Sequence, residues 1–145
     1  MSDWRCLEGT PRDIKAHLSK FLNKGYELHV GCDSHQYSDY TRLVSVICLR
    51  KGPNGVITFR TVLNEKPSSS IYLKLQREVL KALEIAQFVG EAGFENITVH
   101  LDINPDDKYI SNKFYKEFVN MVKGCGYKCI TKPDAFAASI ADMFT

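Results

Sequence analysis

Two apolar runs in this chain end in aspartate: Val30-Gly-Cys-Asp at Asp33 and Val99-His-Leu-Asp at Asp102. A carboxylate that ends a buried strand is costly to desolvate unless a cation or several hydrogen-bond donors meet it. Two such strands in one chain of 145 residues restrict the fold to one that gives both ends a source of positive charge. Glu78, in Gln76-Arg-Glu-Val, and Asp134, in Lys132-Pro-Asp-Ala-Phe-Ala, stand at comparable places in the pattern. Divalent metal is the simplest partner for all four.

The length suits one domain, residues 1–145, burying roughly two thirds of the surface its unfolded chain exposes. With 44% apolar and 25% charged residues the composition is that of a globular protein, and no apolar run approaches the ~20 residues that span a bilayer. The first residues, Met-Ser-Asp-Trp-Arg-Cys, lack the basic and apolar regions of a secretory signal, so a cytoplasmic location and no membrane partner are expected. Five cysteines without a C-x-x-C pair argue against both a disulfide framework and a zinc knuckle, and Cys32 and Cys48 read as buried thiols. A net charge of +2 neither marks a strong polyanion binder nor excludes a local basic patch. No P-loop or dinucleotide glycine pattern occurs, and the adjacent Asp33-Ser34-His35 cannot form a nucleophile, base and orienter chain because neighbouring side chains diverge.

Thr10-Pro-Arg-Asp predicts a helix entrance, with Thr10 as N-cap, Pro11 in the first turn and Asp13 completing a box-like cap. The helix is expected to run to about Asn23, so that roughly residues 1–25 form a helical extension. Strand patterns follow at 27–33, 41–51 and 56–63, the last two separated by the turn Lys51-Gly-Pro-Asn-Gly, which predicts an antiparallel meander. A long helix over about 70–91 carries Ile71, Leu75, Val79, Leu83 and Ala86 on one stripe. A strand at 96–103 comes next, then a helix opened by Pro105-Asp-Asp and running to about Lys123 with Ile110, Phe114, Phe118 and Val122 on one face. A short strand at 127–131 and a helix over 135–144 complete the order. This is an α/β fold: a five-stranded mixed sheet, three antiparallel strands plus two parallel ones, flanked by helices. Sites in such sheets form beyond the carboxyl ends of the strands. Asp33 and Asp102 lie at such ends, and Asp134 is expected to start a helix leaving from the same edge.

The strand order and acidic positions resemble the ribonuclease H-like fold, and more closely its YkuK branch. The resemblance covers nearly the whole chain and rests on Gly31-Cys-Asp-Ser-His-Gln, Val99-His-Leu-Asp-Ile-Asn and Ile130-Thr-Lys-Pro-Asp-Ala-Phe-Ala-Ala-Ser-Ile-Ala-Asp. Cys32 stands where that branch often has threonine, and Asn104 where it often has glycine. What the resemblance implies is a nucleic-acid phosphodiesterase with two divalent ions, Mg²⁺ or Mn²⁺, as oxygen ligands favour. Asp33 would bridge both ions, Asp102 and Glu78 would hold one, and Asp134 the other.

Two places stay open. If the long helix begins near Ser70, Glu78 lies about 12 Å along its axis, and Glu65 in the preceding loop is its rival. Asp134 is equally suited to capping its helix, while Asp142, two turns on, also fits the signature. His35 and His100 flank the best two acids as candidate proton shuttles, with His100 on the same face as Asp102, and Lys132 is a candidate phosphate contact. The reading from sequence is a metal-dependent nuclease; the alternative is a non-catalytic module that binds nucleic acid or a protein partner.

Overall fold

The computed structural model describes residues 4–6, 11–53, 55–106, 108 and 110–145. Its elements in chain order are β1 (Trp4–Cys6), β2 (Pro11–Arg12), α1 (Ile14–Ser19), β3 (Glu27–Gln36), β4 (Thr41–Arg50), β5 (Val56–Glu65) and α2 (Ile71–Glu91). Then come β6 (Ile97–His100), a 3₁₀ turn (Ile110–Phe114), α3 (Tyr115–Gly124), β7 (Lys128–Ile130) and α4 (Phe136–Asp142).

The strands form one sheet in the order β2-β1-β5-β4-β3-β6-β7. The antiparallel meander is β3-β4-β5, and β6 and β7 run parallel to β3. These are the five strands expected, with the short β1 and β2 added outside β5. That addition changes the beginning of the chain. Pro11 lies in a strand instead of a first helical turn, and the N-cap of α1 is Asp13, whose carboxylate accepts from the Ala16 N–H at 3.3 Å. The helix ends at Ser19, earlier than its apolar spacing predicts, although Phe21 and Leu22 still pack on the core from the turn that follows. Thr10, Asn54 and Asp107 and the side chain of Ile110, which carried expectations above, lie outside the described residues.

The sheet's two faces are filled differently. Alternation sends Leu28, Val30 and Cys32 of β3 toward α2, whose buried Leu75, Val79, Ala82, Ile85, Ala86 and Val89 follow helical spacing. Ser70 caps α2, accepting from the Leu73 N–H at 3.1 Å. Ile71, expected on the inner stripe, is exposed because it precedes the first full turn over the sheet. The opposite face carries His29, Gly31 and Asp33 of β3 and Val44, Val46 and Cys48 of β4, and is covered by α4 through Ala137 and Ala141. Cys32 and Cys48 are both buried, on opposite faces, as expected of inert thiols.

α4 packs chiefly on β3, and Gly31 sets how closely. A Cβ added at Gly31 would lie 2.5 Å from the backbone carbonyl carbon of Ala137 and 2.6 Å from the Ala138 nitrogen. Only a residue without a side chain lets helix backbone rest directly on strand backbone there. Gly31→Ala is therefore expected to lower unfolding free energy by about 1–3 kcal/mol, the usual range for overpacking, read as a lower urea midpoint at unchanged m-value. An unchanged midpoint would show that α4 can slide without cost.

Candidate carboxylate site

The site forms near the end of β3 and just beyond β6. Their parallel register stops at Gly31 and His100; Asp33 lies two residues further along β3, which runs on to Gln36 instead of ending at Asp33 as expected, and Asp102 lies two residues past the end of β6. The two carboxylates are close enough for the charge of Asp102 to act on Asp33. Leu101 N–H donates to the Ile130 carbonyl and Lys132 N–H to that of Ile103, which holds the backbone on either side of Asp102 against the chain leaving β7.

Glu78 closes the site from the other face. It is the eighth residue of α2, yet it is only 4% exposed and its Oε2 accepts from the backbone N–H of Ser34 at 2.9 Å and from Ser34 Oγ at 2.6 Å. β3 runs past Asp33 under α2, so a position deep along the helix axis still meets Ser34. Glu65 is elsewhere: it pairs with Arg77 Nε at 3.0 Å.

Asp142 is the acid that meets Asp33, through a side-chain hydrogen bond. Asp134 lies apart, exposed beside a cleft with Glu27, His29, Arg50 and Phe136. The reason is the direction of α4. Asp134 N–H bonds back to the Thr131 carbonyl, the chain doubles back across the sheet, and α4 starts over His29 and His100 before running toward Asp33. The end of the helix reaches the strand edge, and its beginning does not.

Two lysines answer the negative charge. Lys132 Nζ sits 2.8 Å from Asp102 Oδ1, and Lys74 Nζ, one turn before Glu78, sits 2.8 Å from its Oε2. The hydrogen bond to Asp102 raises the Lys132 pKa; for Lys74, burial pulls downward but the charge and hydrogen bond of Glu78 outweigh it. Among the described residues Asp33 has no ion pair of its own, and Lys74 lowers its pKa only through its charge. Burial first, then the charge of Glu78 and the hydrogen bond to Asp142, push it up to about 9. It is protonated at neutral pH and donates to Asp142. Burial also raises Glu78, against the pull of Lys74 and Ser34.

The histidines take separate places. His100 is buried on the Asp102 face, but its Nε2 lies 2.8 Å from His29 Nδ1 and its Nδ1 accepts from the Ala137 N–H at 3.4 Å. Burial pushes it down to about 3, so it is a neutral strut beneath α4. His35 is exposed, with its ring 4.7 Å from that of Tyr37.

All donors converging here are oxygens, the ligands that hard divalent ions take. Two buried acids with raised pKa values also mark a cluster short of positive charge, which a cation relieves. In this respect the residues fit Mg²⁺ or Mn²⁺. Among the described residues no three histidine, cysteine, aspartate or glutamate side chains already stand in a chelating group, and both lysines engage oxygens an ion would need.

Sequence reasoning did not reach Lys74, Ser34 or His29. The i, i+4 spacing of Lys74 and Glu78 was a visible signal for the first. The other two depend on which strand lies beside which.

A family model described as ribonuclease H-like matches residues 10–145. The chain is 28% identical over 152 aligned residues to a Bacillus subtilis (strain 168) protein named Uncharacterized protein YkuK, covering 91% of this chain and 86% of that protein. Among solved structures, RNase H1 from the halophilic archaeon Halobacterium salinarum NRC-1 aligns at 14% identity and a TM-score of 0.44, covering 82% of this chain and 99% of that one.

Asp33 ordinarily has a pKa of 3.8, and about 9 in the fold, so between these values the folded chain holds a proton that the unfolded chain gives up. Its contribution to stability is full below about pH 4 and is lost as the pH rises through about 9. In EDTA, the melting temperature should fall between about pH 6 and about pH 9, and Asp33→Asn should flatten that slope. Equal slopes for the two proteins would mean that Asp33 is ionised in the fold.

Proposed function

The chain belongs to the ribonuclease H-like family, and from that premise we propose that it is a metal-dependent nuclease acting on phosphodiester bonds of nucleic acid. What supports the reading is that Asp33 feels the charges of Glu78 and Asp102 and hydrogen-bonds to Asp142, so that four acids from distant parts of the sequence act on one another. A ribonuclease H-like fold suggests either a nuclease or a nucleic-acid-binding module, and only the first gives such a cluster a task.

Asp33, Glu78, Asp102 and Asp142 are the residues that would hold Mg²⁺ or Mn²⁺. Divalent ions supply positive charge to a phosphodiester and lower the pKa of a water nucleophile. The chain's own residues prepare for this. Ser34 fixes one oxygen of Glu78 with two hydrogen bonds. The proton on Asp33 keeps two acids in contact without two full charges. Lys132, with about half its side chain exposed, can turn from Asp102 toward a phosphate oxygen.

A second reading, a non-catalytic module that binds nucleic acid or a protein partner, draws on the same two lysines. Because Lys74 and Lys132 already neutralise Glu78 and Asp102, part of the cluster is balanced without an ion.

Incubating labelled single-stranded, duplex, hybrid and junction nucleic acids with Mn²⁺ separates the two. Cleavage is expected in at least one case, with Asp33→Asn, Asp102→Asn and Asp142→Asn each slower by about 10²-fold or more and Asp134→Asn close to the native rate. If nothing is cut, or Asp33→Asn and Asp102→Asn cut as well as the native chain, the nuclease reading fails and the module remains. A loss in Asp134→Asn instead of Asp142→Asn would overturn the assignment of the fourth acid.

A further inference from the structure

Past Asp33 the row of side chains on the α4 face continues into His35 and then Tyr37, and across the turn Tyr40 and Arg42 return beside them. His35 is two residues from Asp33, about 7 Å along an extended strand. The rings touch in sequence: His35 to Tyr37 at 4.7 Å between centroids, and Tyr37 to Tyr40 at 5.0 Å with planes only 21° apart.

Solvent reaches these rings. Tyr37 and Tyr40 keep 40% and 37% of their surface in solvent, and His35 is exposed. They are nevertheless held in place. The Tyr37 hydroxyl donates to the Thr145 carbonyl at 2.7 Å, its N–H donates to the Tyr40 carbonyl at 2.8 Å, and Arg42 Nε donates to the Phe144 carbonyl at 2.8 Å. Three exposed rings in contact form a contiguous patch, which marks an interaction surface in a way that scattered single rings do not. Cations stand near this row and the acids: Arg42 beside the row and Lys132 at Asp102. The one acid at the tip is Asp39.

We propose that His35, Tyr37 and Tyr40 are a stacking platform for the unpaired bases of a single-stranded nucleic acid whose backbone continues to the carboxylate site. The platform takes its orientation from the nuclease reading and narrows it to a substrate class. Flat rings accept the face of any base, and only a strand without a complement presents base faces to them. The basic groups meet the backbone, giving salt-dependent affinity without base readout.

The test is fluorescence anisotropy with short labelled RNA and DNA single strands and the matching blunt duplexes, in EDTA so that no cleavage intervenes. The native chain should bind single strands more tightly than duplexes. Tyr37→Leu and Tyr40→Leu should each weaken single-strand binding on the order of tenfold. Tyr37→Phe keeps the ring and removes only the hydroxyl bond to Thr145, so it should retain more single-strand binding than Tyr37→Leu, and thermal melts of each variant confirm folding. Binding unchanged in both leucine variants, duplexes bound as tightly as single strands, or no binding by the native chain would each overturn the platform. Ring-dependent binding with no Mn²⁺-supported cleavage upholds the platform and refutes the nuclease; cleavage with ring-independent binding does the reverse.

Discussion

The contact between Gly31 and the backbone of Ala137 and Ala138 governs the rest of the molecule's chemistry. It seats α4 on β3 with no side chain between them, and so fixes the helix in register with the strand. From Ala137 to Asp142 the helix climbs five residues, about 7.5 Å. From Gly31 to Asp33 the strand advances two residues, nearly 7 Å. The two distances match closely, and so Asp142 arrives at Asp33. A larger residue at position 31 would lift the helix and separate the pair. Alanines at 137, 138 and 141 keep the approach close along the whole contact.

The same face carries two polar burdens and resolves them in opposite ways. Beneath the start of α4, His29 and His100 are buried neutral, bonded to each other and closed by Glu27 on one side and the Ala137 N–H on the other. Every ring nitrogen has a partner, and the charged form is disfavoured. At the end of α4 the burden is negative charge, shared among a proton on Asp33 and the ammonium groups of Lys74 and Lys132. The histidine pair is a closed network, whereas the acids are balanced only by groups that can leave.

Asp33 and Asp102 stood out in the sequence as carboxylates closing apolar runs, but neither is a strand end: β3 continues to Gln36 because its last residues pair with β4, and β6 stops at His100, two residues before Asp102. The meander and both parallel strands were legible through alternation and turn residues. The choice of Asp142 over Asp134 was not. It depends on a reversal after Thr131 and on which end of α4 reaches the edge, and both are set by packing on Gly31. That Glu78 and not Glu65 meets Ser34 turned on how far β3 extends beneath α2, which helical periodicity does not encode. The first helix was misjudged because Pro11 suits an edge strand as well as a first helical turn, and pairing with β1 decided between them.

The sheet is long in its middle and brief at its margins: β3, β4 and β5 have ten residues each, while β2 has two and β7 three. Brief margins leave few free backbone donors and acceptors for a foreign strand to pair with. Recruitment by strand addition, whether productive or in aggregation, is thereby disfavoured at the β7 flank. On the other side β1 pairs with β5 only at Phe59 and Arg60, so substitutions that flatten or uncharge β5 bear on assembly more than those at β7.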